Sequence, residues 1–160
     1  MIVHASIPAD DPERVARVCA ELLGCSWHPG VFPDTYTVAW GDAIGYLIEV
    51  GPRGLQGAPG AKEIRFVRNE APSPYSECHL NVPTALSLEE ITAIGAREGW
   101  TAMECDRGGV FKVIEFWLED KFMLELMTPV ELARYSAACQ RNFGVEAGLA
   151  GHGHAERSLI

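Results

Sequence analysis

The feature that most constrains this chain is a repeated spacing. A glycine that ends a helical pattern at Gly24 has a counterpart at Gly99, and a histidine in an apolar segment at His4 has one at His79, at the same offset along the chain. A glutamate inside an apolar run, Glu49 in Tyr46-Leu47-Ile48-Glu49-Val50, is matched by Glu125 in Met123-Leu124-Glu125-Leu126-Met127, at an offset longer by a single position. Self-similarity at a fixed offset is the signature of one supersecondary unit used again.

The order of predicted elements agrees. Ile2 to Ile7 reads as a strand, and Pro8-Ala9-Asp10-Asp11-Pro12 turns into a helix capped by Asp10 or Asp11, with Pro12 at its first position. Val15, Val18, Cys19, Leu22 and Leu23 recur at helical spacing up to Gly24. Strands follow at Thr35 to Trp40 and Ala43 to Val50. The second round starts with a strand at Ser76 to Val82 and a helix capped by Ser87, with Glu90 as its capping-box partner. Leu88, Ile91 and Ile94 form the apolar face of that helix, and strands follow at Trp100 to Cys105, Val110 to Leu118 and Phe122 to Met127. The expected class is α+β, one β-α-β-β-β module in residues 1–53 and a second in 76–128. Residues 54–75 connect them, and 129–160 carry a helix from Pro129 to about Asn142 and a Gly- and Ala-rich tail, all within one domain. The stretch Gly51 to Gly60 holds four Gly and two Pro and reads as a loop, with a short strand at Glu63 to Arg68.

Composition excludes several classes of function. At 160 residues, 48% hydrophobic and 22% charged, the chain is long enough to bury a core without a metal staple, so a metal site here would serve function. The formal net charge of −9, with no basic run, argues against nucleic acid and anionic membrane surfaces as partners. The longest apolar stretches fall far short of the ~20 residues a membrane helix needs. Met1 to Ala5 show no basic segment leading into an apolar one, so no secretory signal is expected. Five cysteines, an odd number with no C-x-x-C pair, fit free thiols in a reducing compartment, and the cytoplasm is the expected location.

The chemistry rests on His4, Glu49, His79 and Glu125. A carboxylate in an apolar strand is costly unless it is paired, metal-bound or turned to water. Strand alternation puts Glu49 on the face of Leu47, and Glu125 on the face of Met123 and Met127. Taken singly, a strand histidine is more often a hydrogen-bonded core or edge residue, and a strand glutamate more often faces solvent or an arginine. The matched placement of all four points instead to a mixed nitrogen and oxygen site for a divalent ion (Ni, Zn, Co, Mn or Fe) with positions left open for substrate. Glu115 either faces the same site or is an ordinary paired strand residue. Cys78 and Cys105 are candidates to lie near the site but read first as buried thiols, and His28 reads as a solvated loop residue. His152 and His154 belong to the tail, and Trp27, Trp40, Trp100 and Trp117 read as core or pocket-lining aromatics.

Taken together, the His4 strand with Asp10-Asp11-Pro12 and Leu22-Leu23-Gly24, the His79 strand, Gly108-Gly109 before a long strand, Glu119-Asp120 and the closing Leu124-Glu125-Leu126 resemble the vicinal oxygen chelate superfamily. That superfamily includes glyoxalase I, extradiol dioxygenases, and the fosfomycin and bleomycin resistance proteins. The resemblance implies paired modules whose mixed sheets cup a divalent metal, held here by His4, Glu49, His79 and Glu125. A His-Glu-His-Glu set is most similar to bacterial glyoxalase I. It implies a lyase or isomerase that stabilises an enediolate on a small oxygen-rich substrate, with Glu125 or Glu49 as the base. An Fe(II) extradiol-type dioxygenase using His4, His79 and Glu125 is an alternative, as is a non-catalytic drug-binding protein. The resemblance also implies a homodimer, with the site closed either within one chain or between two.

Overall fold

The computed structural model describes residues 2–41 and 45–143. His152, His154 and the start of the strand expected from Ala43 lie outside the described residues. The elements are β1 (His4–Ala9), α1 (Pro12–Leu23), β2 (Ser26–Pro29), β3 (Tyr36–Ala39), β4 (Leu47–Pro52), β5 (Leu55–Ala58) and β6 (Arg65–Arg68), followed by β7 (Leu80–Pro83), α2 (Leu88–Glu98), β8 (Ala102–Asp106), β9 (Lys112–Leu118), β10 (Phe122–Met127) and α3 (Pro129–Phe143). Two four-stranded sheets have matching orders, β1-β4-β3-β2 and β7-β10-β9-β8. In each, the first strand runs parallel to the last, and the last is antiparallel to the one before it. A crossover through a helix is what permits the parallel pairing, so the two sheets are mixed and the class is α+β with a β-α-β-β-β unit used twice.

The helices form where their caps dictate. Asp11 accepts a hydrogen bond from the Arg14 amide at 3.1 Å, Pro12 occupies the first turn, and Gly24 closes α1 in the left-handed region at φ 65°. Ser87 and Glu90 complete a reciprocal capping box on α2, and Gly99 ends it at φ 72°. Val15, Val18, Cys19 and Leu22 of α1 are fully buried and share one continuous core with Ile91 of α2, Phe116 of β9 and Leu124 of β10. α1 therefore packs on its own sheet and on the second half of the chain at once. Burial pushes the Cys25 thiol up to about 11, as expected for a packed rather than reactive cysteine.

Polar clamps lock the two halves in register. The Thr84 hydroxyl donates to the Leu22 carbonyl at 2.5 Å, which satisfies an acceptor left open at the end of α1. Glu98, with its side chain only 6% exposed, accepts from Arg14 at 2.8 Å and from Arg17 at 3.4 Å, and Arg97 reaches across to Glu21 at 2.6 Å. The backbone amides of Asp10 and Asp11 donate to Glu119 at 2.7 Å each, while Asp10 also receives Arg53 and Lys121.

These clamps set the response to acid. The Lys121 hydrogen bond, against a burial penalty, holds the Asp10 carboxyl below the usual carboxylate range, and Arg97 does the same for Glu21. Burial by itself would raise Glu98, but its arginine partners outweigh that and keep it low. A carboxyl depressed in the folded state stabilises the fold above its unfolded value and stops doing so as pH falls through its folded value. Melting temperature is therefore expected to stay level between about pH 7 and 5 and to drop below about pH 4, the ordinary carboxylate range. Glu98→Gln should make that drop shallower in a series of thermal melts.

Two sequence expectations are corrected here. The Gly51 to Gly60 segment is not all loop, because Leu55–Ala58 pairs antiparallel with Arg65–Arg68 as a hairpin. Gly54 permits it: its φ is 87°, and a Cβ there would lie 2.7 Å from the Asn69 carbonyl oxygen. His28 is not a loop residue but part of β2, paired with Thr37 of β3. A four-residue strand ending in proline is too short to display its alternation.

Candidate metal centre

Strand alternation decides which side chains meet in the first sheet. Ile48 and Val50 of β4 turn into the core, which leaves Glu49 on the opposite, open face. β1 lies alongside in parallel register with Ser6 directly across from Glu49, and His4 two residues earlier shares that face. The Ser6 hydroxyl donates to Glu49 Oε2 at 3.2 Å. His4 Nε2 lies 3.2 Å from Ser6 Oγ and 3.9 Å from Glu49 Oε2. The His4 side chain is half exposed.

The second sheet repeats the arrangement with different supports. Leu124 and Leu126 of β10 enter the core and Glu125 faces away. Asn81 of β7 stands across from it where Ser6 stands across from Glu49, and donates from Nδ2 to Glu125 Oε2 at 3.2 Å. His79 Nε2 is 3.7 Å from the same oxygen. His79 precedes β7 rather than lying within it, since the strand begins at Leu80 and not at Ser76. Glu125 Oε1 has a different partner. It accepts from Arg107 at 2.5 Å, and the same guanidinium nitrogen reaches Glu115 Oε1 at 2.8 Å. Glu115 sits directly opposite Glu125 across the β9–β10 pair. Like charges facing each other there would be destabilising, and Arg107 relieves the conflict by standing between them. The Arg107 hydrogen bond is the main reason that the Glu115 carboxyl is held below its usual range despite burial. Cys105 beside it is pushed up, chiefly by burial.

The structure thus brings His4 to Glu49 and His79 to Glu125. Among the described residues, no group of three His, Cys, Asp or Glu side chains converges as a metal would require. Each pair is half of the predicted set. The donors fit a divalent ion in chemistry and in spacing. Imidazole nitrogen and carboxylate oxygen bind such ions at ~2.0–2.2 Å, so donors 3.7 and 3.9 Å apart need only small side-chain movements to share one. The charges also fit. Glu49 alone, and Glu115 with Glu125 and Arg107 as a cluster, each carry a formal net charge of −1, which favours a cation at either half-site.

Ser6, Asn81 and Arg107 were not among the residues read from the sequence. Ser6 and Asn81 carried a usable signal, since each stands two positions after its histidine and so recurs at the histidines' own offset. Arg107 gave none, because its role depends on a turn folding back over the sheet. His28, on the open face of β2, extends the row that runs through Thr37, Glu49 and Ser6.

No family model matches the sequence, and no curated protein matches it. Solved structures do. The chain superimposes on the fosfomycin resistance protein FosX from Mesorhizobium loti with a TM-score of 0.53 and 14% identity, covering 84% of this chain and 97% of that one. The trypanothione-dependent glyoxalase I of Leishmania major gives 0.53 and 14%, covering 90% and 97%. Lactoylglutathione lyase from Agrobacterium tumefaciens gives 0.55 and 10%, covering 81% and 94%. The chain has the glyoxalase-like fold of these proteins, with paired β-α-β-β-β modules. A paired-module fold of this type explains why the histidine and the helix stop recur at one offset and the glutamate at an offset one position longer. Each of the two sheets has one face turned away from the core, and each of those faces carries one His–Glu pair. Among the described residues, no helix is long and apolar enough to cross a membrane.

Proposed function

We propose that this protein is a divalent-metal-dependent lyase or isomerase of glyoxalase I type that works as a homodimer on a small oxygen-rich substrate. The observation that carries this reading is the matched pair of His–Glu half-sites on the open faces of the two sheets. In the dimer, His4 and Glu49 of one chain join His79 and Glu125 of the partner subunit, which completes a four-donor shell. A divalent ion held there would polarise substrate oxygens. The chain's own groups do the rest. His4 and His79 supply neutral nitrogen donors, Ser6 and Asn81 orient the carboxylates, and Glu49 and Glu125 are the two groups placed to take a substrate proton and return it. The free cysteines accord with a reducing compartment such as the cytoplasm.

A second reading has a specific support. One of the similar structures is a FosX from Listeria monocytogenes in complex with Mn(II) and 1S,2S-dihydroxypropylphosphonic acid, at a TM-score of 0.50 and 14% identity. Fosfomycin therefore belongs beside the hemithioacetal of methylglyoxal and glutathione in an activity screen.

The test is the metal content of purified protein after incubation with Ni, Zn, Co, Mn or Fe(II). One ion per chain is expected, lost in both Glu49→Gln and Glu125→Gln. Turnover of the hemithioacetal with Ni, Zn or Co would support the isomerase. Oxygen-dependent chemistry with Fe(II) would favour a dioxygenase. No metal under any of these conditions would overturn the enzyme reading and leave a drug-binding protein of the same fold.

A further inference from the structure

The two half-sites are not equivalent, and the difference lies in how each glutamate is held. Glu49 has a neutral hydroxyl, that of Ser6, at one oxygen. Glu125 is held at both oxygens. Oε2 faces Asn81 and His79, while Oε1 is taken by Arg107, which is anchored in turn by Glu115. The Glu125 side chain is 13% exposed and that of Glu115 18%, against 25% for Glu49. We infer that Arg107, braced by Glu115, is a positioning residue that fixes the Glu125 carboxylate with Oε2 turned toward His79. A carboxylate pinned at one oxygen presents the other in a single orientation, so less side-chain freedom is lost when an ion binds. Arg107 suits this because a planar guanidinium can hold two carboxylates in fixed geometry, which a point-charge ammonium does less well. Its own charge is already matched by two carboxylates, so it is not an open anion site.

The inference rests on the metal-centre reading above, and its test separates the two. Deleting Arg107 alone would confuse orientation with charge, because it would leave two facing carboxylates that attract a cation. The variant Arg107→Met/Glu115→Gln removes one positive and one negative charge and keeps the net charge constant. Co(II) titration, read by its visible absorption band, is expected to show about 10–100-fold weaker binding in this variant, the range typical when a ligand loses its outer support. The band itself should change shape as the coordination geometry loosens. Arg107→Lys, which retains the charge and the surface, should recover part of the affinity but not all. Circular dichroism and apo melting curves establish that each variant is folded. If both variants bind Co(II) within about two-fold of wild type with an unchanged band, the positioning role is wrong while the metal centre stands. If wild type binds no Co(II), both readings fall together.

Discussion

Phe116→Ala is expected to lower the unfolding free energy by about 3–5 kcal/mol, the usual range for emptying a large aromatic site in a packed core. Phe116 is fully buried and lies in β9 opposite Ala102 on one side and Leu124 on the other. Its ring meets Trp100 edge to face with centroids 6.2 Å apart, and its rim lies 3.6 Å from where a Cβ on Gly95 would stand. Backbone as well as side chains surround the site, so collapse into the cavity is restricted and the cost should fall high in that range. For a chain of this length the melting temperature should drop by about 10 °C or more. Strand alternation turns Glu115, the neighbouring residue, to the other face. Metal affinity measured well below the melting point is therefore expected to stay at the wild-type value. A large stability loss with unchanged metal affinity would show that the core and the open face are energetically separate. A parallel loss of metal affinity would show that the open face depends on core packing.

Much of the fold was legible because its signals are local and doubled. Asp11, Pro12 and Gly24 delimit one helix by capping chemistry, and Ser87, Glu90 and Gly99 delimit the other by the same means. β10 coincides with the expected Phe122 to Met127 because six residues suffice to show period two. β2 and β5 were missed for the opposite reason. Ser26–Pro29 and Leu55–Ala58 are four residues long, rich in Pro, Gly or polar side chains, and exist because a neighbouring strand pairs with them. Pairing of that kind is a tertiary effect and leaves little trace in composition.

The candidate site divides along the same line. His4, Glu49, His79 and Glu125 stood out as polar groups in apolar strands, and the fold brings them together two by two. Whether the site closes within one chain or between two stayed open in the sequence, since it depends on how the two halves pack around their shared core. Arg107 was invisible for a related reason. It sits in a turn, at residues 106–109, that reads as surface until the register of β9 against β10 places Glu115 and Glu125 side by side and calls for a cation between them.

In the proposed function one complete metal centre draws its two halves from different copies of the chain, and subunit complementation is the measurement that tests it. One protein carries His4→Ala with Glu49→Gln, and a second carries His79→Ala with Glu125→Gln. Each alone should bind essentially no metal, because every centre in its homodimer lacks one half. Unfolded together and refolded as an equal mixture, half of the dimers pair unlike chains, and each of those holds one intact centre and one that lacks all four ligands. Co(II) binding is expected to return to about a quarter of the wild-type stoichiometry, with wild-type affinity at the recovered sites. A mixture that stays empty while wild type refolded in the same way binds fully, or either variant binding metal normally by itself, would contradict it.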